Sequence, residues 1–124
     1  DMTTLFGIRN CDTVRRARAW LASHSVDYRF HDFRLDGLDR QTLSRWVDTV
    51  GYDALVNRRG TGWRKLPQAA REILTEHTAM ALMLDNPTLI RRPVLESDTR
   101  LIIGFQESEY ANLIDPNRHG DQGS

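Results

Sequence analysis

The sequence predicts an α/β (α+β) protein with a mixed four-stranded sheet and a helical insertion. Two observations lead to this class. Short apolar runs bounded by turn residues occur near both ends of the chain, at residues 3–8 and 27–33 and again after residue 92. The stretch between them, about 39–88, instead carries apolar residues at helical spacing. The element order is therefore β-α-β, a helical stretch, and then β-β-α.

The first three elements form a β-α-β unit. Residues 3–8, "TTLFGI", are typical of a short buried strand. Asp12 or Thr13 is expected to cap the helix that follows. Residues 27–33, "DYRFHDF", alternate in polarity as a second strand does. One face of the intervening helix is apolar at helical spacing: Val14, Ala17, Trp20 and Leu21.

The middle of the chain predicts several helices. Asp39 is a suitable cap for a helix over about 40–50. Pro67 suits the first turn of a helix that runs to about His77. Residues 79–86, "AMALMLDN", predict a further short helix that ends before a proline.

The last elements predict a hairpin and a helix. "PVLES" and "RLIIGF" are strand-like and are joined by a turn at 97–99, which makes them antiparallel neighbours. A helix over about 106–114 follows. A β-α-β unit and a β-β-α unit that share one sheet match a thioredoxin-like plan. We therefore expect a single domain over residues 1–114, with its helical insertion at about 39–88, and a disordered polar tail over 115–124.

Composition narrows the functional classes. The chain has 124 residues, of which 40% are hydrophobic and 27% charged, as in an ordinary globular domain. Its formal net charge of zero argues against a protein that binds nucleic acid directly. No apolar run approaches the roughly 20 residues that cross a bilayer, and no secretion signal is visible, so no membrane partner is expected. The single cysteine, which allows no internal disulfide, suggests a reducing cytoplasm.

That single cysteine, Cys11, stands at the start of a predicted helix and among arginines. The unpaired N–H groups and the positive dipole end of a helix N-terminus favour the thiolate, which is the reactive form of cysteine. Arginines also bind carboxylates and oxyanions. The other interpretation is that a lone cysteine is a small apolar packing residue.

Four stretches together resemble the arsenate reductase-like family, which includes the ArsC, Spx and YffB proteins. These stretches are "GIRNCDTVRRARAWL", "LVNRRGTGWRKL", "LIRRPVL" and "LIIGFQESEY". The resemblance covers residues 3–114 and is strongest to the YffB branch. It implies a thioredoxin-like fold with a helical insertion.

The resemblance also implies a site. Cys11 takes the place of the family's catalytic cysteine, and Asn10 flanks it. Arg92 matches an arginine that lies beside the cysteine and directly precedes a cis proline, here Pro93. The exposed backbone next to such a proline would pair with a peptide-like thiol.

A further basic position of the family lies in the second of these stretches and matches Arg58, although the alignment leaves Arg59 open.

Two features depart from the family's patterns. Arsenate reductases use a third arginine late in the chain, where this sequence reads "LIIGFQE" without one, Arg100 coming too early. The redox-switched Spx regulators carry C-x-x-C, whereas here Cys11 is followed by Asp12, Thr13 and Val14.

The function implied is a glutathione-dependent thiol reductase with a single nucleophilic cysteine, whose mixed disulfide an external thiol resolves. The expected partner is glutathione or another small anionic thiol or oxyanion, with no tightly bound cofactor. The four histidines lack metal-ligand spacing, so no metal is expected. Three alternatives stay open: an arsenate reductase proper, a Spx-like protein that binds RNA polymerase, and a domain that has kept the fold and lost the chemistry.

Overall fold

The computed structural model describes residues 2–114, so the tail expected at 115–124 lies outside the described residues. The strands are β1 (Thr4–Gly7), β2 (Arg29–Asp32), β3 (Val94–Glu96) and β4 (Leu101–Ile103). The helices are α1 (Asp12–Ser23), α2 (Phe33–Asp36), α3 (Arg40–Val50), α4 (Tyr52–Leu55), α5 (Thr61–Arg64), α6 (Gln68–Glu72), α7 (Glu76–Asp85) and α8 (Glu107–Ile114), with a 3₁₀ turn at Pro87–Leu89.

The chain forms two compact units. Among the described residues, the first unit comprises 2–30 and 92–114, and the second is His31–Arg91. The expectation of one domain with an insertion at about 39–88 stays a prediction. Each unit has its own buried apolar side chains.

The sheet is mixed and has the order β2-β1-β3-β4. β1 pairs antiparallel with β3, which places Phe6 opposite Val94, and β3 pairs antiparallel with β4. β2 joins the other edge of β1, where the N–H of Arg29 donates to the carbonyl of Thr3 at 2.8 Å. This architecture confirms the predicted α+β class and the thioredoxin-like plan. Each strand is shorter than predicted; β2, for example, ends at Asp32, which caps the next helix.

The core of the first unit lies between α1, the sheet and α8. The indole of Trp20 makes an edge contact with the ring of Tyr110, with centroids 5.6 Å apart. The four residues of the predicted apolar face of α1 are all buried, which confirms the helical spacing. The buried members of this core are Leu5, Ala17, Trp20, Leu21, Leu95, Ile102 and Tyr110.

Gly7, the last residue of β1, lets α1 come close to the strand. A Cβ at this position would lie 2.7 Å from Cγ2 of Val14, in the first turn of α1. Contacts of that length do not occur between real side chains, so the absence of a side chain at Gly7 sets how closely the helix start lies to the strand end.

The second unit consists mainly of short, individually capped helices. The carboxylate of Asp39 accepts the N–H of Thr42 at 2.8 Å, and α3 ends at Gly51 with a φ of 83°. Both ends of the predicted 40–50 helix are therefore confirmed. Three residues on its apolar face are buried: Leu43, Trp46 and Val47.

The helix predicted from Pro67 to about His77 is wrong. α6 ends at Glu72, and a new helix begins after Thr75. The hydroxyl of Thr75 accepts the N–H of Thr78 at 3.2 Å, while the hydroxyl of Thr78 accepts the N–H of Thr75 at 2.9 Å. This reciprocal capping box satisfies the first donors of α7 and therefore starts that helix three residues before the predicted position.

The second predicted strand also ends early. The carboxylate of Asp32 accepts the N–H of Arg34 at 2.8 Å and so caps α2, which takes Phe33 out of the strand.

The longest helix among residues 2–114 is α1, with 12 residues, and none of the described helices is long and apolar enough to cross a membrane.

We expect Gly7→Ala to lower the free energy of unfolding by about 1–3 kcal/mol, the usual range for an overpacked core position. Gly7 does not have a left-handed φ, so an alanine there does not strain the backbone. The contact with Val14 therefore decides whether the substitution raises or lowers the free energy of unfolding. Urea unfolding measures the change. In the double variant Gly7→Ala/Val14→Ala the added methyl has space, so its cost should largely disappear. Equal costs of Gly7→Ala in both backgrounds would contradict this account.

We expect Asp39→Ala to lower the melting temperature at neutral pH and to have less effect in acid. The backbone N–H of Thr42, followed by its hydroxyl, holds the pKa of Asp39 below its ordinary value of 3.8. A carboxyl whose pKa is lowered by folding contributes stability above its unfolded pKa and loses that contribution as the pH falls through the folded value. The difference in melting temperature between parent and variant should therefore shrink below about pH 4. A difference that stays constant down to pH 2 would disprove the role of this charge.

Candidate active site

Cys11 lies at the junction of β1 and α1 and is itself the N-cap of α1, with φ −138° and ψ 122°. Its carbonyl accepts the first bond of the helix, from the N–H of Arg15 at 2.9 Å. The expectation that Asp12 or Thr13 caps the helix is wrong, because both residues already have helical conformation. The thiol of Cys11 is free and half-buried.

No side chain hydrogen-bonds to the first turn of α1 from the N-cap position. In most helices an oxygen of Ser, Thr, Asp or Asn accepts a first-turn N–H at this position. Here the residue at that position carries sulfur instead. The exposed N–H groups and the positive end of the helix dipole are therefore available to an anion at the sulfur or bound next to it.

Two charged side chains and an amide surround the start of α1. The guanidinium of Arg15 pairs with the carboxylate of Asp12 at 2.6 Å and also donates to the side-chain oxygen of Asn10 at 3.5 Å. The predicted site residue Asn10 is therefore held next to Cys11 through Arg15. Sequence reasoning did not include Arg15 among the predicted site residues. Its spacing of four from Cys11, one helical turn, is the signal that could have identified it.

The pairing of β1 with β3 places the peptide between Arg92 and Pro93 at the same end of the sheet. Because Phe6 is opposite Val94, continuation of the register sets Gly7 beside Pro93, directly before the loop that leads to Cys11. The peptide bond between Arg92 and Pro93 is cis, as the resemblance implies. Pro93 is fully buried and its carbonyl accepts the N–H of Gly104 at 2.8 Å, whereas Arg92 is half-buried.

Four of the five predicted site residues, Asn10, Cys11, Arg92 and Pro93, thus belong to the first unit, at the end of the sheet where β1 finishes and β3 begins. The fifth, Arg58, belongs to the second unit. Among residues 2–114, no group of three or more His, Cys, Asp or Glu side chains is arranged to hold a metal ion.

In the second unit, Arg58 lines a cleft of about 350 Å³. Its guanidinium pairs with the carboxylate of Asp53 at 2.7 Å and lies over the ring of Trp63, 5.3 Å from the centroid. Arg59, the other register that the sequence allowed, lines the same cleft, and so does Arg91. Sequence reasoning did not assign Arg91 to any site.

Comparison with known sequences gives one family. The sequence model of the ArsC family matches residues 6–113. An uncharacterized protein of Haemophilus influenzae is 45% identical over 109 residues, which cover 88% of this chain and 96% of that protein. The global transcriptional regulator Spx of Streptococcus pyogenes is 34% identical over 110 residues, covering 87% of this chain and 81% of the regulator.

Solved structures agree with this result. A YffB protein superimposes with a TM-score of 0.86 at 44% identity, covering 89% of this chain and 96% of its own. An arsenate reductase (ArsC) related protein from Brucella melitensis gives a TM-score of 0.73 at 43% identity, covering 93% and 96%.

We expect Arg15→Gln to slow the reaction of Cys11 with the neutral reagent iodoacetamide, and Asp12→Asn to accelerate it. Removing Arg15 leaves the carboxylate of Asp12, the residue directly after Cys11, uncompensated, whereas Asp12→Asn removes the opposing charge. A charge at a helix end changes such a rate about two- to fivefold. Alkylation at pH 7, followed by mass spectrometry, measures the rate.

Arg16→Gln is the matched control, because it removes one positive charge from the same turn and its guanidinium donates only to the hydroxyl of Thr13, at 3.4 Å. It should change the rate less than Arg15→Gln does. Equal slowing by the two variants would mean that the pair between Asp12 and Arg15 has no special effect on Cys11.

Proposed function

The chain belongs to the ArsC family, and from this premise we propose that it is a thiol reductase with Cys11 as its nucleophile and glutathione as its co-substrate. The observation that supports this most directly is the sulfur at the uncapped start of α1, beside the end of the sheet that holds Arg92 and Pro93. The proposed setting is a reducing cytoplasm, where glutathione is the abundant thiol.

The first step is thiol–disulfide exchange. The thiolate of Cys11 attacks one sulfur of a substrate disulfide, forms a mixed disulfide with it, and releases the other sulfur as a thiolate that takes up a proton from water. The N–H groups of the first turn stabilise the attacking thiolate before the step.

The second step regenerates the enzyme. Because Cys11 is the single cysteine, no thiol of this chain can resolve the mixed disulfide. The thiolate of glutathione therefore attacks it, which releases Cys11 as a thiolate and leaves the bound half of the substrate joined to glutathione. A second glutathione then releases that half as a thiol and forms glutathione disulfide. Two glutathione thiols thus supply the two electrons that reduce the substrate.

The side chains next to Cys11 would position the co-substrate. Arg92 would bind a carboxylate of glutathione through its planar guanidinium. The backbone beside Pro93 would pair with the peptide groups of glutathione, and Asn10, held by Arg15, would border the same site. The assignment of Arg58 to substrate binding stays a prediction of the resemblance.

Reduction of arsenate itself is a less favoured activity. Arsenate reductases of the family use a third arginine in or just after the last strand. Here Arg100 precedes β4, and β4 and the residues directly after it carry no arginine. An oxyanion would therefore lack one of its three guanidinium partners.

A second candidate function is regulation of transcription. The similarity to the regulator Spx at 34% identity favours it. In this alternative the chain would bind RNA polymerase, and Cys11 would not have to react. The absence of C-x-x-C excludes a disulfide switch between Cys11 and a neighbouring cysteine, but it leaves binding open.

We expect the protein to take up one glutathione per chain when it is incubated with glutathione disulfide, and Cys11→Ser to take up none. Arg92→Gln should slow this reaction by about tenfold, because a hydrogen bond to a charged group is lost. Arg100→Gln, which removes an arginine of the same unit before β4, is the matched control and should be nearly unchanged. Intact mass spectrometry over time gives the rates.

The alternatives predict different outcomes of the same work. An unreactive Cys11, together with co-purification of RNA polymerase by both the parent and Cys11→Ser, would favour the regulator. Rapid reduction of arsenate by the parent would show that two arginines suffice. Equal slowing by Arg92→Gln and Arg100→Gln would remove Arg92 from the site.

A further inference from the structure

We propose that the cleft of the second unit, lined by Arg58, Arg59 and Arg91, binds small molecules that carry two carboxylates. This inference goes beyond the proposed function. It depends on residues 31–91 alone and does not require Cys11 to react. The cleft has a volume of about 350 Å³ and is also lined by Asp53, Val56 and Asn57.

Backbone pairing builds the cleft. Val56 and Ile90 form an antiparallel bridge. On one side of it the N–H of Asn57 donates to the carbonyl of Leu89 at 2.8 Å, and on the other the N–H of Arg91 donates to the carbonyl of Leu55 at 2.7 Å. Two chain segments that are far apart in sequence are thereby fixed side by side.

Local hydrogen bonds also hold the turn that carries Arg58 and Arg59. The side-chain oxygen of Asn57 accepts the N–H of Arg59 at 3.1 Å, and the guanidinium of Arg64 donates to the carbonyl of Arg59 at 2.7 Å. The arginines therefore project from a fixed backbone, which lowers the entropic cost of binding.

The charges of the cleft do not balance. Three arginines line it, against the single acidic residue Asp53, whose carboxylate already pairs with Arg58. Within residues 2–114, the guanidinium groups of Arg59 and Arg91 have no carboxylate partner. The chain as a whole has a formal net charge of zero, so this local excess of two positive charges is a specific feature of the cleft.

The arrangement of these charges selects the ligand. A guanidinium binds a carboxylate through two parallel hydrogen bonds. Arg59 and Arg91 stand on the two different segments, so two separate anionic groups match them better than one compact ion does. The volume is that of a small-molecule site, and buried Val56 offers an apolar surface to the carbons between the two carboxylates.

The test is a titration of the full chain, in the Cys11→Ser background, with S-methylglutathione, which has two carboxylates and no reactive thiol. Backbone amide shifts should change at 57–59 and at 91. Arg59→Gln and Arg91→Gln should each weaken the affinity by about tenfold, because each removes a charged hydrogen-bonding group. Higher salt should also weaken binding.

Arg40→Gln is the matched control, because Arg40 is an exposed arginine at the start of α3 in the same unit and outside the cleft. Its affinity should equal that of the parent. The diethyl ester of S-methylglutathione tests the ligand class and should not bind. Arg91→Lys keeps the positive charge but loses the two parallel N–H donors of the guanidinium, so it should retain part of the affinity. It also tests the site if a glutamine variant folds poorly.

Shifts confined to residues 10–14, an unchanged affinity in Arg59→Gln and Arg91→Gln, or binding of inorganic phosphate in preference to S-methylglutathione would each overturn the proposal. The proposed reductase is judged separately, by the uptake of glutathione at Cys11. Either result can therefore fail while the other stands.

Discussion

The antiparallel pairing of β1 with β3 is the interaction on which the Cys11 site depends. β1 ends where the loop to Cys11 begins, and β3 begins directly after the peptide between Arg92 and Pro93. The register of this pairing therefore sets the positions of both Cys11 and that peptide. Residues 8–93 separate the two strands in the sequence, and no local interaction could bring them together. The buried side chains of Leu5 and Leu95, which face each other in the pairing, fix that register, because a slip by one residue would turn them to the other face of the sheet.

The sequence was sufficient for the class, the antiparallel hairpin of β3 and β4 and the longer helices, since periodicity and turn residues carry that information. It failed where side chains compete with the backbone. The carboxylate of Asp32 takes Phe33 from a strand into a helix, and the two hydroxyls of Thr75 and Thr78 divide one expected helix into two. Such caps depend on the geometry of a single hydrogen bond, which average propensities do not describe.

The candidate site, like the fold, was predicted only in part from the sequence. The resemblance identified Cys11, Arg92 and Pro93, because short motifs mark them. Arg15 and Arg91 were missed for different reasons. Arg15 is an exposed residue of α1, and only its contacts with Asp12 and Asn10, the two sequence neighbours of Cys11, single it out. Arg91 reaches its cleft through the bridge between Val56 and Ile90, which is a long-range contact without a signal in the sequence.

Cys11 is both the N-cap residue of α1 and the chain's only cysteine, so the chemistry of its thiol affects the stability of the helix. A negatively charged sulfur stabilises the first turn of the helix, and a covalent adduct, which removes the charge from the sulfur, withdraws that support. The link is reciprocal, because a turn that unwinds removes the dipole from the sulfur. The order of the first turn of α1 and the charge on one sulfur are therefore thermodynamically linked, so any group that occupies the sulfur also changes the stability of this turn.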